Sequence, residues 1–215
     1  MLRIKICCIA SEAEAALAVS CGAAALGLVS AMPSGPGVIG EALIRTIVRG
    51  CPPGVSSFLL TSLTDAVAMI EQIRYCGTDT VQIVDTVSPD TRRAIKAALS
   101  NVKVVQVVHV RGEESLEEAR RCVEGADALL LDSGNPTLAT KELGGTGQVH
   151  NWELSRAIVE ASTLPVFLAG GLTPENVAAA VDMVRPYGID VCSGVRKNGR
   201  LNRQRLLGFV AAATG

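Results

Sequence analysis

The sequence predicts an α/β protein, a (β/α)8 TIM barrel that forms a single domain over residues 1–215. Three observations predict it: short β-rich runs alternate with segments of helical spacing, the alternation repeats eight times, and no linker or low-complexity tract interrupts it. Repeated β-then-α units imply parallel strands with right-handed crossovers, and eight units favour closure into a barrel. The alternative is an open doubly wound sheet, which the lack of a GxGxxG motif after the first strand disfavours.

The pattern places the elements in strict alternation along the chain. Strands are expected at 3–9, 24–30, 55–60, 79–84, 102–110, 126–131, 164–168 and 189–192. Helices are expected at 11–21, 40–48, 63–75, 90–99, 114–123, 152–161, 174–184 and 204–213. The first helix has the best-marked start, because Ser11 and Glu14 have the spacing of a capping box.

Composition narrows the class of protein further. Hydrophobic residues make up 48% of the chain and aromatic residues 3%, so Ala, Val, Leu and Ile must fill the interior. The formal net charge is -1 and no basic cluster is present, which argues against a nucleic-acid partner. No apolar run is long enough to span a bilayer, and residues 1–6 do not resemble a signal peptide. The seven cysteines are odd in number and lack paired metal spacing, which fits a reducing cytoplasm.

Glycine turns follow the last two strands. Gly170-Gly171 comes after the seventh strand and Ser193-Gly194 after the eighth. Neighbouring turns of this kind leave backbone N–H groups free to point at an anion, and this position is a common phosphate site of barrels. Each turn alone could be an ordinary tight turn, but two at consecutive strands favour phosphate binding.

A thiol ends the first strand. Strand alternation places Lys5 and Cys7 on the face toward the barrel lumen and Ile4, Ile6 and Cys8 on the face toward the helices. We therefore expect Cys8 to be buried behind the strand. A thiol beside a lysine could ionise and act as a base or nucleophile. On spacing alone, an ordinary buried Cys7 remains the better interpretation.

Other polar residues follow later strands. Asp132 ends the sixth strand, where it could be a cap or a general acid with a raised pKa. The loop after it contains Gly144-Gly145-Thr146-Gly147, which could cradle a ligand or simply be flexible. His109 ends the fifth strand and His150 precedes a helix. These two histidines have no carboxylate at ligand spacing, so no metal is expected.

Several blocks in the right order resemble one known family. They are Lys5-Ile6-Cys7 with Ile9, Leu130-Leu131-Asp132-Ser133, Gly144-Gly145-Thr146-Gly147 with Trp152 behind it, the run from Leu168 to Val177, and Ser193-Gly194-Val195. Together they resemble phosphoribosylanthranilate isomerase, a cofactor-free barrel of tryptophan biosynthesis. The blocks extend from the first strand to the last, and their joint occurrence is specific although each alone is not.

The resemblance implies an Amadori rearrangement of an N-(phosphoribosyl) aminobenzoate, without cofactor or metal. By matching position, Asp132 would be the general acid and Cys7 the general base. Other positions would contact the phosphorylated sugar substrate: Lys5, Gln82, His109, Arg111, Gly145, Thr146, Gly170, Gly171, Ser193 and Gly194. The expected protein is cytoplasmic, does not bind membranes, and is a monomer or homodimer.

The sequence departs from the family pattern at the end that would bind the anthranilate. Cys8 stands where the family usually has Gly, and the strand-two loop at 34–38 lacks the Arg that grips the substrate carboxylate. The family's Gln-Leu-His-Gly after strand four reads Gln82-Ile83-Val84-Asp85. An unpaired ligand carboxylate in a closed site would be costly. Either His109 or Arg111 replaces the missing Arg, or the substrate lacks that carboxylate.

Two alternatives to this isomerase remain. One is a related sugar-phosphate isomerase with a different N-substituent, and the other is a non-catalytic barrel that binds a phosphorylated ligand. The presence of both Cys7 and Asp132 argues against the second, because a binding module has no need of that pair. Ribulose-phosphate epimerase is disfavoured because it requires metal-binding histidines.

Overall fold

The computed structural model describes residues 2–134 and 150–215. Eight parallel strands pair in chain order, and the eighth pairs back onto the first, so the barrel is closed. They are β1 (Arg3–Ile6), β2 (Ala25–Val29), β3 (Ser56–Thr61), β4 (Thr80–Ile83), β5 (Lys103–His109), β6 (Ala128–Asp132), β7 (Val166–Leu168) and β8 (Gly188–Val191). The predicted fold class is therefore confirmed.

A helix follows each barrel strand. The helices are α1 (Glu12–Ser20), α2 (Glu41–Arg49), α3 (Ala66–Cys76), α4 (Pro89–Ala98), α5 (Glu114–Cys122), α6 (Trp152–Ala161), α7 (Val177–Val184) and α8 (Arg203–Thr214). All eight were expected, and their ends differ from the expected ones by at most a few residues. Within residues 2–134 and 150–215, none of the helices combines the length and apolar character needed to cross a membrane.

One small feature between β8 and α8 was not expected. A short 3-10 turn (Ser193–Val195) is followed by an antiparallel hairpin of β9 (Arg196–Lys197) and β10 (Arg200–Leu201). Strands of two residues are too short to produce a readable period in the sequence. The hairpin matters because it places Arg196 beside the end of β1.

Buried residues form two layers, one on each side of the sheet. On β6, Leu129 and Leu131 pack outward against the helices, whereas Ala128 and Leu130 point into the barrel. This division follows from strand alternation, and it explains why a strand buried on both faces reads as one apolar run. The inner layer fills the barrel below its mouth, so the described residues that are open to a ligand lie at or near the carboxyl ends of the strands.

Cys8 lies in the inner layer together with Cys7, so the expectation that it would be buried behind the strand is wrong. Regular strand geometry ends at Ile6, before this residue is reached. Cys8 has a φ of 61°, in the left-handed region. Strand alternation holds only while the backbone is extended, and this one residue therefore turns its side chain toward the mouth.

The start of α1 is capped as the sequence predicts, and Glu14 of the cap also contacts the β9–β10 hairpin. The Ser11 hydroxyl accepts a hydrogen bond from the Glu14 backbone N–H at 3.1 Å, and the Glu14 carboxylate accepts one from the Ala10 N–H at 3.1 Å. Arg196 donates to both Glu14 oxygens, at 2.9 and 3.0 Å. Burial raises the pKa of Glu14, but these bonds outweigh it and the net effect lowers that pKa. Glu14 thus ties α1 to the β9–β10 hairpin.

Burial in the outer layer should contribute strongly to the stability of the barrel. Leu129 is fully buried between β6 and the helices, whereas Leu207 on α8 is 44% exposed. Leu129→Ala should lower the free energy of unfolding by about 2–5 kcal/mol, because it removes buried methyl groups and leaves a cavity. Leu207→Ala, the matched control, should change it by under about 0.5 kcal/mol. Urea denaturation measures both, and equal effects would contradict this packing.

Candidate active site

A cavity of about 700 Å³, counted out to its open mouth, lies where the carboxyl ends of the strands meet. Residues from β1, β2, β3, β4, β6, β7 and β8, or from the turns after them, contribute to its wall. The polar residues and glycines of the wall include Cys7, Gln82, Asp132, Gly170, Gly171, Asp190 and Ser193. This is the end of a (β/α)8 barrel at which ligands bind, because the βα loops converge there.

A buried ion pair lies beneath the cavity. The Lys5 side chain is fully buried, and its Nζ lies 2.8 Å from Asp190 Oδ2. The two residues are register partners across β1 and β8. The Lys5 Nζ is also 5.3 Å from the centre of the Phe58 ring. Burial lowers the pKa of Lys5, but the attraction of Asp190, followed by that of Cys7, outweighs it and the pKa is raised. Lys5 is therefore a fixed positive charge.

The thiol of Cys7 lies close to this charge. A Cβ built on Gly27 of β2 would stand 2.8 Å from Cys7 Sγ and 3.1 Å from Lys5 Nζ. Both atoms thus border the space that Gly27 leaves open, and no larger residue fits there without displacing them. The Cys7 sulfur therefore lies next to a buried positive charge.

Asp132 lies at the end of β6, with its side chain partly exposed to the cavity. Its Oδ1 accepts a hydrogen bond from the Ser133 backbone N–H at 2.8 Å. Burial raises the pKa of Asp132 to about 6, the Ser133 bond opposes the shift, and the nearby Asp190 adds to it. A carboxyl with such a pKa holds its proton much closer to neutral pH than an ordinary Asp does.

The turns after β7 and β8 are packed against each other. Asn176 braces the first turn: its side-chain amide donates to the Gly171 carbonyl at 3.0 Å and accepts from the Thr173 N–H at 2.8 Å. A Cβ on Gly194 would stand 2.0 Å from the Leu172 carbonyl oxygen, so only glycine permits this contact. The two glycine turns, although far apart in the sequence, therefore lie in direct contact at the cavity wall.

The other predicted site residues divide into three groups. Gln82 lines the cavity, and its Oε1 makes no hydrogen bond within residues 2–134 and 150–215. His109 is buried, with Nε2 hydrogen-bonded to the Val84 carbonyl at 3.0 Å, and burial lowers its pKa. Arg111 is exposed, and neither it nor His109 is among the described residues of the cavity wall. Gly145 and Thr146 lie outside the described residues.

Sequence reasoning missed Asp190. A signal was available, because Asp190 is an acid between Ile189 and Val191 in a buried strand. In a closed barrel the first and last strands are neighbours, and an inward-facing acid on one predicts a partner for the inward-facing Lys5 on the other.

The strand-two loop approaches the cavity without a positive charge. Ser34, Gly35 and Pro36 contribute to the wall, and the described wall residues include no Lys or Arg. A carboxylate on an aryl group would therefore find hydroxyl and backbone groups along this part of the wall. The absence of the loop Arg noted in the sequence is not compensated by His109 or Arg111 within the described wall.

The fold and the site define a class: barrel enzymes that act on a ligand at the carboxyl ends of their strands. A family model described as N-(5'phosphoribosyl)anthranilate (PRA) isomerase matches residues 4–212. The chain belongs to the N-(5'-phosphoribosyl)anthranilate isomerase family, the isomerases of tryptophan biosynthesis. This confirms the resemblance noted from the motifs.

Relatives and solved structures agree with this assignment. N-(5'-phosphoribosyl)anthranilate isomerase 2 of Methanosarcina mazei is 36% identical over 214 residues, which cover 99% of this chain and 94% of that protein. The phosphoribosyl anthranilate isomerase structure from Thermotoga maritima has a TM-score of 0.82 at 28% identity, covering 99% and 98% of the two chains. A second structure, of phosphoribosyl anthranilate isomerase with reduced 1-(o-carboxyphenylamino)-1-deoxyribulose 5-phosphate, has a TM-score of 0.79 at 26% identity, and the match covers 99% of this chain and 98% of that chain.

The Lys5–Asp190 pair should behave as one unit in stability measurements. Lys5→Met or Asp190→Leu alone leaves a buried charge without its partner, and each should cost about 3–5 kcal/mol of unfolding free energy. The double variant should cost clearly less than the sum of the two, because neither charge remains. Guanidinium denaturation measures all three. If the two single costs simply add in the double variant, the two residues are not coupled. As a control, Arg156→Met breaks an exposed pair with Glu160 and should lower the free energy of unfolding by under about 1 kcal/mol.

Asp132 should make stability depend on pH. Its pKa is raised in the folded protein from 3.8 to about 6, so the folded state keeps a proton that the unfolded state releases. The resulting stability is fully present below the unfolded pKa and is lost as pH rises through the folded pKa. Asp132→Asn removes this dependence, so it should gain stability relative to the wild type between about pH 4 and pH 7. Urea titrations across that range test this, and a constant difference would exclude the raised pKa.

Proposed function

We propose that this isomerase uses Cys7 as general base and Asp132 as general acid to convert N-(5-phosphoribosyl)anthranilate into 1-(2-carboxyphenylamino)-1-deoxyribulose 5-phosphate. The main support for the proposal is that both side chains line one cavity, although they are far apart in the sequence. The glycine turns after β7 and β8 line the same cavity. A thiol, a carboxyl and an anion cradle at one mouth are the groups that this reaction needs.

The substrate phosphate binds at the glycine turns. Gly170 and Gly171 both have positive φ values, 81° and 62°, which turn successive backbone N–H groups toward one side. Ser193 adds a hydroxyl at the second turn, on the cavity wall. Binding at this end holds the ribose over the centre of the mouth, and such positioning lowers the entropic part of the barrier.

Ring opening is the first chemical step. Protonated Asp132 donates its proton to the ring oxygen of the ribose as the bond from that oxygen to C1' breaks. The anilino nitrogen supplies the electron pair, and a protonated imine forms. The raised pKa of Asp132 keeps a useful fraction of the carboxyl protonated near neutral pH.

Proton removal from carbon is the second step. The Cys7 thiolate takes the C2' proton, and the electron pair of that bond moves toward the imine to give an enolamine. The enolamine then tautomerises to the ketone. The Lys5 ammonium lies beside the Cys7 sulfur, and the cationic imine favours the loss of the C2' proton.

Two buried acceptors are suited to orient the sugar. Gln82 Oε1 and Asp190 Oδ1 make no hydrogen bonds within residues 2–134 and 150–215, and both side chains line the cavity. A buried acceptor without a partner is costly, and ribose hydroxyls can satisfy both. Lys5 contributes indirectly, since it holds Asp190 through its other oxygen.

The anthranilate end distinguishes this chain from the family pattern. The described wall there offers Ser34 and loop backbone where the family has an Arg. A related substrate with a different N-substituent is the alternative that this observation favours. A fluorescence assay with phosphoribosylanthranilate generated in situ decides between them, since the proposal expects turnover and the alternative expects none.

Removing either proton-transfer group should nearly abolish turnover. Cys7→Ala and Asp132→Asn should each lower kcat/KM by about 10²–10⁴-fold, the usual contribution of one positioned acid or base. The fluorescence assay above measures the loss, and circular dichroism checks that each variant stays folded.

Matched controls come from elsewhere in the chain. Cys21→Ala changes a buried cysteine of the outer layer, and Asp182→Asn changes an exposed acid of α7, so both should keep wild-type kcat/KM. Folded Cys7→Ala or Asp132→Asn protein with full turnover would refute the assigned roles.

A further inference from the structure

Two further thiols lie at the mouth and have no part in the proposed proton transfers. Cys8 follows β1 and Cys192 follows β8, and these strands are paired at Ile6 and Val191. The two sulfur atoms are 2.6 Å apart and share a hydrogen bond. Cys8 is buried, whereas Cys192 is partly exposed, and both line the cavity. A small solute that enters the cavity can therefore reach the pair.

The backbone at Cys8 directs its thiol to this place. Cys8 has a φ of 61°, a left-handed conformation that is strained for a residue with a side chain. An extended residue here would instead turn its side chain toward the helices. The strained conformation therefore creates the contact with Cys192.

The surroundings make the two thiols chemically different. The Arg196 guanidinium donates to the Cys8 carbonyl at 2.5 Å and to the Cys7 carbonyl at 3.3 Å, and Glu14 holds it in place. The hydrogen bond with Cys8 lowers the pKa of Cys192; burial opposes this, and Arg196 adds to it. The same hydrogen bond has the opposite effect on Cys8, whose pKa it raises. Cys192 is therefore the more acidic of the two thiols, and it is also the more exposed one.

We propose that Cys8 and Cys192 are an oxidation site: when hydrogen peroxide oxidises them, they form an intramolecular disulfide. The Cys192 thiolate attacks one peroxide oxygen, the O–O bond breaks and hydroxide leaves, which gives a sulfenic acid. The Cys8 sulfur then attacks the Cys192 sulfur, the S–S bond forms, and the S–O bond breaks. The Cys8 proton and the departing hydroxyl leave as water. Two electrons pass from the two sulfurs to the peroxide.

The cross-link ties the end of β1 to the residue before the Ser193 turn. Thiols in an electropositive, accessible setting with a second thiol in contact are the ones that oxidise reversibly. Cys7 is left as a free thiol, so the cross-link can be measured without reference to its role in turnover. Failure of the Cys7 assignment and failure of this proposal are therefore distinguishable.

The test treats purified full-length protein with hydrogen peroxide in thiol-free buffer. Two of the seven cysteines should become unreactive to iodoacetamide, the mass should fall by about 2 Da, and dithiothreitol should reverse both changes. Fragmentation spectra of the tryptic digest should show the peptide that contains Cys8 linked to the peptide that contains Cys192. Cys51→Ser, a partly buried cysteine outside the cavity wall, is the matched control and should still form the cross-link.

Variants of the pair identify the sulfurs. Cys8→Gly should remove the cross-link and should fold well, because glycine adopts the left-handed conformation without cost. Cys192→Ser and Cys192→Ala should also remove it, and two replacements guard against a folding defect in one. The proposal is overturned if wild-type protein only gains oxygen without losing two thiols. It is also overturned if the disulfide includes Cys7, or if it persists in any folded variant of the pair.

Discussion

The buried ion pair between Lys5 and Asp190 is the interaction on which the mouth of the barrel depends. It joins β1 to β8, the strands at which the sheet closes on itself. An ammonium can be removed from water only beside a compensating charge, so these strands must meet in this register for either residue to be buried. The same register brings the end of β1, which carries Cys7, next to the turn after β8.

The pair also sets the charges around the two proposed proton-transfer groups. The Lys5 ammonium lies beside the Cys7 thiol, and the Asp190 carboxylate adds to the burial that raises the pKa of Asp132. Burial is the main cause of the raised pKa of Asp132; Asp190 adds to it and Lys5 opposes it. The Cys7 thiol, in contrast, lies beside the positively charged member of the pair.

Local patterns in the sequence were enough to predict the barrel, since each barrel strand and each of the eight helices is marked by its own period, and Ser11 marks the start of α1. The two glycine turns and the ends of β1 and β6 were placed at the ligand-binding end of the barrel by the rule that ligands bind at the carboxyl ends of strands. Asp190 was missed because its role depends on strand closure, which joins residues far apart in the chain. Cys8 was misplaced because one left-handed residue cancels the alternation that the prediction assumed.

A crystal structure with the reduced product analogue, reduced 1-(o-carboxyphenylamino)-1-deoxyribulose 5-phosphate, tests the central claim most directly. We expect its phosphate at the turns of Gly170-Gly171 and Ser193-Gly194, and the carbon chain between the Cys7 thiol and the Asp132 carboxyl. Its aryl group should lie against the strand-two loop. A phosphate bound elsewhere, or a carbon chain out of reach of either side chain, would contradict the convergence of these groups on one ligand.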